Sequence, residues 1–241
     1  MKADYGAFLS RITTNAMSAP AQIIELRRIL AERFPRAQAR PVAPLPAVQP
    51  TGVPALDELL GGGLPRGEFT ELVGAGHGSG SAQVIHSLLR ETAAQGRYLA
   101  LVDGADSFDC TAVAPVILSR LLWVRCRQAD EALKAVDLLL RDPNFPLVVL
   151  DLKLNPVTEL RRIQGTVWFR LARLREQHRS TLLLVSPYPL GSGVNHRIQI
   201  DARLGLEALR NTPEQLRNGL HFELLRAAPG VEDVRRLAAT A

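Results

Sequence analysis

The sequence predicts an α/β domain: a mostly parallel sheet flanked by helices, with antiparallel edge strands towards the C-terminus. Three observations carry this reading. Continuous apolar runs at residues 98–103, 145–151 and 181–185 have the pattern of strands buried on both faces. Segments with helical periodicity lie between them, with Val84, Ile85, Leu88 and Leu89 on one face and Leu133, Val136 and Leu140 on another. Residues 71–82 read as a buried strand, a glycine-rich turn and a helix, which is the layout of a phosphate-binding loop.

Composition fits one core with small appendages. The chain has 241 residues, 46% hydrophobic and 22% charged. Its formal charge is +5, and the basic excess is nearly all arginine, which permits nucleic-acid contact without requiring it. Cys110 and Cys126 lack metal-type spacing and suit a reducing cytosol. The N-terminus shows no apolar signal region, and no run reaches the ~18 apolar residues of a membrane span. A cytoplasmic protein with no membrane partner is expected.

The chain divides into an N-terminal helical segment (1–34), a proline-rich linker (35–50), a core (51–227) and a C-terminal tail (228–241). In the first, Ile23, Leu26, Leu30 and Phe34 form one apolar stripe over residues 20–34. That stripe suits docking on the domain, on a partner or on a second copy. Pro35, Pro41, Pro44, Pro46 and Pro50 forbid helix in the linker and favour an extended path. In the core, Thr51 and Pro54 open a short helix that Gly61, Gly62 and Gly63 end.

Residues 68–73 then form the first core strand, and Gly74, Gly76, Gly78, Gly80 and Ser81 are the candidate phosphate contacts after it. A working loop of this kind ends Gly-Lys-Ser/Thr: the lysine reaches the outer phosphates and the hydroxyl holds Mg²⁺. Here the order is Gly80-Ser81-Ala82, and no lysine lies between Lys2 and Lys134 to stand in nearby. Two registers fit. With Gly80 as the last loop glycine, Ser81 takes the lysine position and Ala82 the hydroxyl position. With Gly74 opening the motif, Gly80 takes the lysine position and Ser81 keeps the hydroxyl. The first is preferred, since Gly78-Ser79-Gly80 suits the loop apex. A turn that binds nothing explains the glycines equally well.

Thr51-Gly52, then Leu56-Asp57, then residues 60–67 (Leu-Gly-Gly-Gly-Leu-Pro-Arg-Gly), then strand and glycine loop, resemble the entry to the RecA ATPase core. The resemblance runs to about Leu209. It implies a RecA-like core in which the strand ending at Asp103 should be followed by a catalytic Glu two residues later. Gly104 and Ala105 follow instead, and Asp106 is displaced and shorter. Asp103 is then expected to cap a turn. Asp151 falls where a Walker B carboxylate would hold Mg²⁺ through water. The polar amide expected after the strand at 181–185 is replaced by Ser186-Pro187. The stretch 191–197, where RecA carries long DNA-gripping loops, is short, and His196 and Arg197 remain as candidate nucleic-acid contacts.

Residues 156–179 form the most basic element, with Arg170, Arg173 and Arg175 as candidate contacts to DNA or an acidic partner. A solvated helix face is the plainer alternative. Residues 198–209 and 220–226 alternate apolar and polar, as antiparallel edge strands joined across Asn211-Thr212-Pro213.

The loop lysine, the catalytic Glu, the phosphate sensor and, in the preferred register, the Mg²⁺ hydroxyl are all missing. A charge-assisted contact is worth roughly 1.5–3 kcal/mol, and each ~1.4 kcal/mol is tenfold in affinity. Two or three such losses turn micromolar nucleotide binding into millimolar. A non-catalytic core with no cofactor is expected. Residues 60–67, the lysine-free Gly78-Ser79-Gly80, and residues 122–127 (Leu-Trp-Val-Arg-Cys-Arg) followed by Glu131-Ala132-Leu133 resemble the ImuA family. That resemblance implies an accessory role in DNA-damage-induced (SOS) translesion synthesis. It also implies an ImuB-like inactive Y-family polymerase and an error-prone DnaE-type polymerase as partners. A weakly active ATPase of the RecA, RadA or KaiC kind and a SulA-like cell-division inhibitor are the alternatives.

Overall fold

A computed structural model describes residues 47–75, 78–111, 113–202, 208 and 210–227. All fall in the unit Pro46–Ala241. The helix expected at 20–34, most of the linker, Gly76 and the tail at 228–241 lie outside the described residues. Among the described residues no helix is long and apolar enough to cross a membrane.

The elements in chain order are β1 (Val48–Gln49), α1 (Pro54–Leu59), β2 (Leu64–Pro65), β3 (Phe69–Gly74), α2 (Ser81–Ala94), β4 (Leu99–Asp103), α3 (Pro115–Leu118) and β5 (Leu121–Arg125). Then follow α4 (Ala129–Leu139), β6 (Leu147–Asp151), α5 (Val157–Leu160), α6 (Gly165–His178), β7 (Thr181–Ser186), β8 (His196–Asp201), α7 (Pro213–Asn218) and β9 (His221–Arg226). The main sheet has seven strands in the order β5-β4-β6-β7-β3-β8-β9. All pairings are parallel except β8 with β9. The expected mostly parallel sheet with an antiparallel C-terminal edge is what forms.

The apolar runs explain why this sheet is buried on both sides. Successive residues of a strand face opposite ways, and the core divides accordingly. Leu99, Leu101, Val149, Leu183 and Val185 pack with Val84, Ile85, Leu88 and Leu89 of α2. Ala100, Val102, Val148, Leu150, Leu182 and Leu184 pack with Val136 of α4 and Trp168 and Leu171 of α6. Trp168 is 1% exposed and lies 6.3 Å, centroid to centroid, from Phe69 at the start of β3.

Four boundaries differ from the sequence expectation, the first being the edge strand expected at 198–209, which is His196–Asp201. Val48 and Gln49, in the proline-rich linker, pair antiparallel with Leu64 and Pro65. Gly63 permits that closure: its φ is +140°, and a Cβ there would overlap the Gln49 carbonyl. The basic element at 156–179 is two helices, α5 and α6, separated by residues 161–164. The connection between the edge strands contains α7, which starts at a capping box of Thr212 and Gln215.

Because Trp168 fills the space between α6 and β3, Trp168→Ala is expected to cost about 3–5 kcal/mol of stability. Chemical denaturation of the full chain measures this as a lower midpoint with an unchanged slope.

Candidate functional site

Parallel pairing places the C-terminal tips of β3, β4, β6 and β7 along one edge of the sheet. In open α/β sheets that edge is where ligands bind. Gly74 ends β3, the turn follows, and α2 begins at Ser81. Gly80 is the residue before the helix and has φ +88°, a left-handed geometry that glycine alone adopts at no cost. A Cβ on Gly80 would overlap Leu220 Cδ2, so no longer side chain fits there. Ser81 is thus the first helical residue and Ala82 the second. Gly74 is equally tight, since a Cβ would meet Ser79 Oγ at 2.5 Å. Ser79 and Ser81 are both buried.

The expectation that no lysine stands in at this loop is corrected by the structure. Lys153, in the turn after β6, points its Nζ at both loop hydroxyls. It donates to Ser79 Oγ and, at 3.1 Å, to Ser81 Oγ. The turn itself is set by Asp151, whose Oδ1 accepts from the Lys153 N–H at 3.0 Å. Burial lowers the pKa of the Lys153 ammonium, opposed by the Asp151 charge. Distance in sequence hides this pairing, although β6 and β3 are separated in the sheet only by β7. The available signal was a lysine two residues past the Walker B-like carboxylate.

Asp151 is half-buried and sits beside Asp103 in the β4–β6 register. Burial is the main cause that pushes its pKa up to about 6, and the Asp103 charge adds to it. The Lys153 N–H and ammonium oppose that rise. Asp103 is committed to its own loop. It accepts from the backbone N–H of Ala105, Ser107 and Phe108 at 3.3, 2.8 and 2.8 Å, and from Trp123 Nε1 at 3.3 Å. The capping role expected for it is the one it has. Asp106, in the turn after β4, forms a bidentate pair with Arg125 at 2.6 and 2.7 Å.

A buried carboxylate that sequence reasoning passed over lies at the centre of the sheet. Glu71 in β3 is 0% exposed. Its Oε1 accepts from Ser186 Oγ at 3.0 Å and from the N–H of Leu190 and Gly191 at 2.7 and 3.0 Å. Its Oε2 accepts from Arg197 Nε at 2.6 Å. Its signal was a lone acidic residue inside an apolar strand, which requires an internal partner.

This network decides where the remaining candidate residues stand. Arg197 is held against Glu71 and also donates to the Gly191 carbonyl at 2.5 Å. His196 is 0% exposed, with Nε2 at 2.5 Å from Glu68 Oε2. His196 is enclosed within the sheet, whereas the Arg197 side chain keeps about 20% of its surface exposed. On α6, Arg175 is half-buried and donates to the Gly67 carbonyl. Arg170 pairs with Asp137 at 3.0 Å yet keeps its side chain more than half exposed, and Arg173 is exposed. Arg161, Arg162 and Arg179 are also exposed.

No protein-family model matches the chain. RecA of Picosynechococcus sp. is 32% identical over 107 residues, which is 44% of this chain and 30% of that protein. RecA of Chlorobaculum tepidum is 35% identical over 104 residues, 42% of this chain and 30% of that protein. RecA of Chlorobium chlorochromatii is 35% identical over 133 residues, 53% of this chain and 37% of that protein. The chain thus spans about a third of the length of these curated relatives. The crystal structure of the RadB recombinase matches with a TM-score of 0.52 and 20% identity, over 66% of this chain and 85% of that one. The core is therefore RecA-like in fold, with distant RecA similarity in sequence.

The raised Asp151 pKa has a definite sign. The protonated form is favoured in the folded chain, so this group's stabilisation is complete below its unfolded value near 3.8 and is lost as pH rises through about 6. Asp151→Asn keeps an acceptor for the Lys153 N–H and removes the charge. It is expected to raise stability at pH 7.5 by up to about 3 kcal/mol, with the difference from wild type shrinking towards pH 4 in denaturant titrations.

Proposed function

We propose that this chain is a non-catalytic RecA-like accessory protein of DNA-damage-induced translesion synthesis, of the ImuA kind. Its core serves as a rigid platform for an ImuB-like inactive Y-family polymerase and an error-prone DnaE-type polymerase. It works in the cytoplasm, without a cofactor. The observation that carries this reading is the loop itself. Ser81 stands where the phosphate-gripping lysine belongs, and the acidic groups after β4 are consumed by bonds within the chain. Phosphoryl transfer is almost entirely positioning and electrostatic stabilisation. A core whose charged groups already hold one another supplies neither. The pathway and the partners rest on the resemblance in residues 60–67, 78–80 and 122–133.

Purified full-length protein is expected to show no ATP turnover above buffer, and to co-purify with a Y-family-like protein from DNA-damaged cells. Robust hydrolysis that Asp151→Ala abolishes would remove the reading and favour a weakly active ATPase.

Direct DNA contact is a second reading, favoured by the exposed arginines of the α5–α6 region. The phosphate-facing candidates there are Arg170 and Arg173, since Arg175 is engaged with Gly67. If they touch the backbone, single-stranded DNA affinity falls steeply with salt, and reversing both to Glu reduces the log–log salt slope by roughly 1–2. Fluorescence anisotropy across a salt series measures it, and an unchanged slope returns these arginines to a solvated face.

A further inference from the structure

We propose that Lys153 is an internal latch on the described end of the β3–α2 turn, residues 78–81, so that the Ser79 and Ser81 hydroxyls are satisfied by the chain itself. The ammonium arrives from the turn after β6, across β7, and donates to Ser79 Oγ and Ser81 Oγ. Both hydroxyls are buried. A buried polar group without a partner costs about 1–3 kcal/mol, so the lysine's donors stabilise the closed loop.

The electrostatics need explaining, because a cation at a helix N-terminus meets the positive end of the peptide dipoles. Gly80, the residue before α2, offers no side-chain cap to offset this. The nearby carboxylate of Asp151 does so. Lys153 is two residues beyond it, and the Lys153 N–H bond to Oδ1 fixes the turn that aims the ammonium. The same charge opposes the fall in the lysine pKa that burial causes. On its other side the loop is stopped by Leu220 against Gly80, with Ala202 and Ile200 behind it.

A lysine carried by the loop would be free to meet an anion. This one has two of its three donors spent on serine hydroxyls. A polyphosphate must break those bonds before it can use the charge. The latch does not depend on the accessory role proposed above, since it concerns only the loop and its closing contact.

The test compares wild type with K153M, which keeps much of the side-chain volume and removes the ammonium, both as the full chain. Hydrogen exchange at the amides of residues 78–84 is expected to quicken about tenfold in K153M, the equivalent of one lost hydrogen bond, while β4 and β6 stay protected. Calorimetric titration with tripolyphosphate is expected to show K153M binding no more weakly than wild type. Unchanged exchange overturns the latch. So does tripolyphosphate binding by wild type that K153M weakens, which would make Lys153 a ligand cation. Should K153M fail to fold, S81A removes one acceptor and keeps the charge. It is expected to give a smaller rise confined to the same amides, and no rise overturns the proposal.

Discussion

A carboxylate in the middle of a sheet constrains everything around it. Glu71 lies in β3, which has a parallel neighbour on each side, and water does not reach it. Burying an unpaired charge costs several kcal/mol, so a folded chain must surround it with donors. The donors here are Ser186 at the tip of β7, the Leu190 and Gly191 amides of the following turn, and Arg197 of β8. Satisfying Glu71 therefore fixes the route from β7 to β8. Arg197 closes the ring by donating to the Gly191 carbonyl. The stretch that was expected to be short is also pinned, and its bonds end on a strand interior. The consequence extends to the glycine loop. With β8 held against β3, Ile200 and Ala202 continue to the loop and, with Leu220, close around Gly80.

The layers of this fold were readable because each depends on a local pattern. A strand between two helical layers must be apolar on both faces, and residues 98–103, 145–151 and 181–185 announce that directly. The pieces that were not readable depend on pairing at a distance. Val48 and Gln49 sit among prolines, and only the partner strand Leu64–Pro65 makes them a strand. Residues 156–179 read as one basic element, and α6 starts after Gln164 with no side-chain cap to mark the gap between α5 and α6. The hairpin connection looked like a turn because Asn211-Thr212-Pro213 is turn chemistry, yet Thr212 and Pro213 are equally the cap and first residue of a helix.

The same division holds at the site. The glycine positions and the order Gly80-Ser81-Ala82 are local facts, and Gly80 takes the left-handed φ that its residue type permits. Lys153 is distant from the loop in sequence, and a parallel sheet gathers strand tips regardless of their order along the chain. Arginines mislead for a related reason. Composition counts them all as surface charge, whereas Arg197 serves Glu71, Arg175 serves the Gly67 carbonyl and Arg125 serves Asp106. A basic excess read from sequence overstates the charge left for a partner.

The balance of charge along the strand tips bears on what this edge can hold. Asp103 and Asp151 stand side by side, and the nearby ammonium, Lys153, already faces two hydroxyls. With a pKa of about 6, Asp151 is mostly ionised at neutral pH. In a working nucleotide site a metal ion and a loop lysine reverse that sign. Here Asp103 spends its oxygens on three backbone amides and an indole, and the ammonium beside Ser81 comes from Lys153 in the turn after β6. The bonds along these strand tips tie the charged groups to the chain itself, as the proposed non-catalytic role requires.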